Sequence, residues 1–154
     1  MKRFALFLGL CALLALASAP ASFGFAANFD YLGQVKGQDG SSVGFSIGRS
    51  ASGRKRVIDF TVTRAAYECR DAPPGLTDGW VLDRGLRVKA RRFEGRGDWI
   101  GLPLDPVGKV TGKLRPGGRA SGSFKIRGEL AGPGTHCNTG LVGWRATRAP
   151  VFTR

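Results

Sequence analysis

The side chains able to do chemistry are few and scattered. The chain has one histidine, His136, and three cysteines, Cys11, Cys69 and Cys137. A histidine-based zinc site needs several nitrogen or sulfur ligands, and these are missing once two cysteines pair. A Ser-His-Asp arrangement needs its serine on a fixed turn, and no Gly-x-Ser-x-Gly elbow occurs. Free thiols would make Cys137 a nucleophile beside a base, but adjacent strand residues point to opposite faces, which works against it. The carboxylates are thinly spread. Glu68 and Asp71 flank Cys69, and Asp78 and Asp83 flank Trp80. Two carboxylates facing each other across a groove would suit acid–base cleavage of a glycan. Their spacing defines no such pair, and none of it matches a calcium loop. No catalytic residue, metal ligand or cofactor site is assigned on these grounds, and His136 reads as a loop residue beside a disulfide.

The one constellation with enough members to act is cationic. The chain carries 24 lysines and arginines against 11 aspartates and glutamates, a formal net charge of +13. In the segment KVTGKLRPGGRASGSFKIRGEL, Val110, Gly112 and Leu114 alternate with Lys109, Thr111, Lys113 and Arg115. After Pro116-Gly117-Gly118, the residues Ala120, Gly122, Phe124 and Ile126 alternate with Arg119, Ser121, Ser123, Lys125 and Arg127. This pattern predicts a β-hairpin with an apolar inner side and a basic outer side. Arg87, Lys89 and Arg91 alternate with Leu86, Val88 and Ala90 and predict a second cationic strand. Neighbours on one sheet face lie about 5–7 Å apart, so such a face repels itself until counterions or a polyanion screen it.

These nine cations are the candidate site. The partners they suit are an anionic cell-envelope polymer, an acidic glycan or a lipid headgroup surface, with nucleic acid the least favoured. An opposing reading is compositional. Arginine outnumbers lysine, and alanine, glycine and proline are plentiful, so a basic surface arises with no partner selected for it. Outer-face lysines also blunt edge pairing. Trp80 and Trp99 lie near loops and offer stacking platforms for sugars or bases, whereas Trp144 shares core parity with Val142. Arg96-Gly97-Asp98 spells an adhesion tripeptide, a match that recurs by chance in a chain rich in arginine and glycine.

The first residues set the compartment. Lys2 and Arg3 precede an apolar run over residues 4–16, and two Ala-x-Ala sites follow at Ala17-Ser18-Ala19 and Ala19-Pro20-Ala21. That is the layout of a cleaved secretory signal over residues 1–21. The run is too short to span a bilayer comfortably, so no membrane anchor is expected after cleavage. Cys11 leaves with the signal, and Leu10 before it argues against lipidation. Loss of Lys2 and Arg3 lowers the net charge from +13 to about +11. One domain, residues 28–154, remains. A secreted or periplasmic location favours disulfides, so Cys69 and Cys137 are expected to pair. That bridge contributes about 4 kcal/mol at most in the loop-entropy account.

Beyond the signal no helix-period stretch survives. Short runs of period-2 alternation recur between Gly, Pro, Asp and Ser clusters. Phe29, Tyr31, Gly33 and Val35 share one parity; so do Val43, Phe45 and Ile47, then Ile58, Phe60 and Val62, and finally Val142, Trp144 and Ala146. Residues 71–75 carry two prolines and must be a loop. About seven or eight strands at regular spacing predict an all-β, single antiparallel sandwich, with a barrel as the alternative.

The segments VGFSI and VIDFTVTRAAYEC, the basic hairpin, and CNTGLVGWRA with Cys137, Gly140, Trp144 and Ala146 resemble a type of small secreted bacterial one-disulfide β-sandwich protein. The resemblance covers roughly residues 29–147. It implies a sandwich and a Cys69–Cys137 bridge, and it implies no activity. The function expected from the sequence is a secreted, non-enzymatic binding or surface-associated module. The alternatives are a glycan-acting hydrolase using loop carboxylates and a protein inhibitor.

Overall fold

The structure, a computed structural model, describes residues 29–149 apart from 78, 83 and 101–105, and apart from the side chain of Trp99. The expected signal segment and Cys11 lie outside the described residues, as do Asp78, Asp83 and Asp105.

The chain forms strands β1 (Tyr31–Val35), β2 (Ser42–Arg49), β3 (Lys55–Thr63), β4 (Ala66–Cys69), β5 (Gly75–Leu76) and β6 (Trp80–Leu82). It continues with β7 (Leu86–Lys89), β8 (Arg92–Ile100), β9 (Val107–Arg115), β10 (Arg119–Gly128), β11 (Cys137–Asn138) and β12 (Val142–Arg148). Every pairing is antiparallel, as the hairpin-rich sequence predicts.

The sandwich expectation is corrected here. β12, β1, β2 and β3 pair in order, β6 and β7 share the next stave between β3 and β8, and β8, β9 and β10 follow. β10 then pairs with β12 from Arg119↔Thr147 to Phe124↔Val142, which closes the sheet into an eight-staved barrel. Alternation in the sequence demands one apolar face per strand, and both architectures satisfy that demand. Close approach of the backbones is what favours closure here. A Cβ on Gly33 would lie 1.9 Å from the Arg145 carbonyl oxygen, and one on Gly122 would lie 1.9 Å from that of Thr111. Glycine at such points lets a strongly coiled sheet turn back on itself.

The barrel interior is a packed core. Phe45, Phe60, Phe93 and Trp144 meet with ring centroids 5.5–6.5 Å apart. Val43, Val57, Val62, Val110, Phe124 and Ile126 fill the space around them. Eight staves enclose just enough room for side chains, and aromatic rings occupy it here.

Two local departures from simple alternation change what faces outward. Ile58 was expected inside with Phe60 and Val62; it is exposed, and Val57 is buried instead. β2 pairs Gly44 with Thr61 but Ser46 with Ile58, so β3 carries one extra residue. Asp59 absorbs it at φ 52°, a β-bulge that flips parity. The second departure joins β7 to β8. Ala90 and Arg91 both have positive φ, 49° and 60°, in a two-residue hairpin turn. Arg91 is therefore a turn residue and not a third strand cation. Left-handed backbone costs an ordinary L-residue about 1–2 kcal/mol, and Asn-Gly is the pair this turn favours. Replacing Ala90-Arg91 by Asn-Gly is expected to raise stability by about 1 kcal/mol, read as a higher denaturant midpoint at constant slope. An unchanged midpoint would show that the turn is not strained.

A small annex continues from the end of β10. Gly128 pairs with Cys137 of β11, Cys137 with Cys69 of β4, and Ala66 of β4 with Leu76 of β5. The Cys69–Cys137 disulfide joins the two directly opposed residues. Buried Thr77 ties the annex to the chain leaving β3: its hydroxyl accepts the Ala65 N–H at 2.9 Å, and its carbonyl accepts the Arg64 N–H at 2.8 Å. Tyr67 stacks on Trp80 at 6.5 Å.

Candidate cationic surface

Because inward positions on β8, β9, β10 and β12 are apolar or glycine, the intervening cations all point outward. Register then decides which of them meet. Lys89 pairs with Arg92, Arg92 with Lys113, Lys113 with Ser121, Ser121 with Arg145, and Arg145 with Gln34. One row across six staves thus holds four cations and no carboxylate. A second row sets Arg96 opposite Lys109 and Lys109 opposite Lys125. Between the two rows lies a milder one, in which Glu94 pairs with Thr111 and Thr111 with Ser123. The Thr111 and Ser123 hydroxyls are 3.0 Å apart.

The wall has two shallow grooves. The larger, about 750 Å³, has Lys36, Arg115, Arg119 and Arg145 along it, with Gln34 and Ser121 between them. The Arg115 Nε–H donates to Ser121 Oγ at 3.2 Å. The smaller, about 340 Å³, is flanked by Arg96, Lys109, Lys125 and Arg127, with Thr111 and Ser123 along its floor. No carboxylate lines either groove. Acids lie close by: Glu94 Oε1 is 2.6 Å from Lys109 Nζ, Asp98 pairs with Val107 at the end of the smaller groove, and Asp39 lines a third groove with Lys36 and Arg145. The hydrogen bond from Lys109, its charge and that of Arg96 hold the Glu94 carboxyl below its ordinary range. Both partners are exposed, so the pair contributes little to stability.

The nine cations expected from the sequence therefore divide. Lys109, Lys125 and Arg127 gather at the smaller groove, Arg115 and Arg119 at the larger, and Lys113 lies in the row between them. Lys89 heads that row. Arg87 instead pairs with Arg56 of β3, farther round the barrel, and Arg91 sits in the turn. Four cations were missed: Lys36, Arg92, Arg96 and Arg145. The alternation of Val142, Trp144 and Ala146 already puts Arg145 outside. Its neighbours follow only from the β10–β12 closure.

The other candidates resolve differently. Trp80 is not a surface platform: it is 1% exposed, against Tyr67. Trp144 is fully buried, as its parity predicts. Arg96-Gly97-Asp98 lies flat within β8, paired residue by residue with β9, rather than on a presenting loop. His136 is an exposed loop residue beside the disulfide. Asp71 Oδ1 accepts its backbone N–H at 2.8 Å, and Oδ2 lies 2.7 Å from its Nδ1. The backbone N–H is the main cause, and the ring the second, of an Asp71 carboxyl held below its ordinary range. The pair joins the segment that leaves β4 to the segment that enters β11, beside the disulfide. No nucleophile is hydrogen-bonded to it among the described residues. None of the grooves brings two described carboxylates together.

The wall carries charge outside and rings inside, the reverse of a barrel that faces lipid all round. No helix among the described residues is long and apolar enough to cross a membrane. Comparison with protein-family models, curated proteins and solved structures finds no match.

Proposed function

We propose that this protein is an extracytoplasmic, non-enzymatic binding module whose cationic barrel wall holds an anionic component of the cell envelope. The observation that carries the reading is the row Lys89–Arg92–Lys113–Ser121–Arg145, four cations over five adjacent staves without an interposed acid. Like charges held at sheet spacing destabilise the fold, and a bound polyanion offsets that repulsion. Arginines and lysines share the wall almost equally, and the planar arginine fork suits phosphate, sulfate or carboxylate oxygens. The signal-like first residues and the disulfide support a secreted or periplasmic setting.

The test is binding of the oxidised protein to isolated envelope and to dextran sulfate across a salt series. Affinity is expected to fall steeply and linearly in log–log form. Replacing Lys113, Arg115, Lys125 and Arg127 together by alanine is expected to reduce that slope by roughly 3, at somewhat under one counterion per lost contact. All four side chains are exposed, so folding should survive. Unchanged binding by the quadruple variant at low salt would rule the wall out as the site.

A further inference from the structure

The smaller groove combines charge with exposed hydrocarbon. Leu141 is 78% exposed and Val107 is 42% exposed, and both line the groove flanked by Arg96, Lys109, Lys125 and Arg127. We propose that this groove is a contact site for the surface of an anionic phospholipid bilayer. The proposal rests on the reading of the cationic wall and names its partner at this end of the barrel.

Position supports it. Leu141 follows the turn at Asn138, Thr139 and Gly140, where the Asn138 side chain accepts the Gly140 N–H at 2.9 Å. It directly precedes Val142, where β12 begins and where the last β10–β12 pair, Phe124↔Val142, is made. It is thus presented from a braced turn at the barrel rim, where it can enter a flat surface. Val107 begins β9 between Asp98 and Arg127. A soluble, hydrated polyanion gains nothing from an exposed leucine. A bilayer offers phosphates at the headgroups and hydrocarbon just beneath them, so cations and leucine are engaged together. The lysine stems add apolar length while their ammonium groups reach the phosphates. Leu32, also exposed, lies within strand β1 rather than on a rim turn.

The experiment is co-sedimentation of the oxidised full-length mature chain with vesicles of phosphatidylglycerol and phosphatidylcholine, and with phosphatidylcholine alone. Retention on dextran sulfate is measured in parallel at the same salt. The parent is expected to partition at least tenfold better to the anionic vesicles. Lys125→Gln with Arg127→Gln is expected to lose about tenfold or more of that partition. Leu141→Ser is expected to lose about fivefold while keeping its dextran sulfate retention, and Leu141→Phe is expected to bind as the parent does. Near-UV circular dichroism checks that each variant is folded. Equal vesicle partition of Leu141→Ser and the parent overturns the proposal. So does a Leu141→Ser loss that extends to dextran sulfate, or a parent indifferent to phosphatidylglycerol. Retention on dextran sulfate without vesicle binding defeats the bilayer assignment and leaves the polyanion reading standing. Loss of both defeats both.

Discussion

Trp144→Ala is expected to lower the free energy of unfolding by about 3 kcal/mol. Trp144 has no exposed surface and packs against three other core rings. It meets Phe45 and Phe60 edge-on at 5.8 and 5.5 Å and stacks with Phe93 at 6.1 Å. Truncating a buried tryptophan to alanine costs about 3–5 kcal/mol, because the transfer energy is lost and a cavity remains. The neighbours here cannot collapse into that cavity: they belong to β2, β3 and β8, on other staves of a closed barrel. One effect works the other way. The Trp144 Nε1–H is buried without a hydrogen-bond partner among the described residues. Leaving such a donor unsatisfied costs about 1–3 kcal/mol, and alanine removes that penalty. The two effects together place the loss near the lower end of the range. With a domain stability of about 5–15 kcal/mol, such a loss removes much of the margin. Trp144→Phe keeps a ring and drops the unpartnered donor, so its loss is expected to stay under about 1.5 kcal/mol. Denaturant midpoints at constant slope give both numbers. A loss under 1 kcal/mol for the alanine variant would show that the aromatic cluster is not the centre of the core.

Replacing Cys69 and Cys137 together by alanine is expected to cost about 4 kcal/mol, the second large effect. The bridge spans a sequence separation of 68, so it removes much loop entropy from the unfolded chain. Alanine suits the site because Cys137 is buried among apolar side chains, where a serine hydroxyl would add a desolvation cost of its own. The native-state consequence is local. Without the bridge, β4 and β11 are joined by only two paired positions, Cys69↔Cys137 and Asn138↔Glu68. The annex, with β5 and the Asp71–His136 loop contact, should then open at lower energy than the barrel. Hydrogen exchange is expected to show β4 and β11 amides losing protection first while β9 and β10 keep theirs. Equal denaturant midpoints for the oxidised protein and the double variant would remove the disulfide as a stabilising element. Two titratable thiols in the undenatured protein would remove the bridge altogether.

The parts of this protein legible in its sequence are those in which chemistry repeats at short range. Residues 107–127 announce a hairpin because apolar and basic residues alternate on both sides of Pro116-Gly117-Gly118, and β9 and β10 pair in that register. Val142, Trp144 and Ala146 announce a core strand in the same way, and all three are buried. Two cysteines left after an expected signal point to one bridge, and it is present. Strand alternation is a local property of the backbone, so it survives whatever the strand later pairs with. Pairing is not local. Whether β12 closes onto β10 depends on hydrogen bonds between distant segments and on coiling elsewhere in the sheet, where Gly33 and Gly122 let the β1–β12 and β9–β10 backbones approach, and an open sandwich would carry the same alternation. That closure brings Arg145 into line with Lys113 and Arg92. The turn at Ala90-Arg91 uses residues with no marked preference for positive φ, and the bulge at Asp59 uses a residue that tolerates it but sits as readily in a regular strand end or turn, so a count of two misplaces Arg91 and Ile58. Trp80 looked exposed because a proline-rich loop precedes it, but Tyr67 of the annex covers it. The sequence by itself determined the composition of the wall, basic outside and apolar inside. Tertiary structure alone decided that the wall is closed, which cations share a row, and that exposed Leu141 lies among four of them.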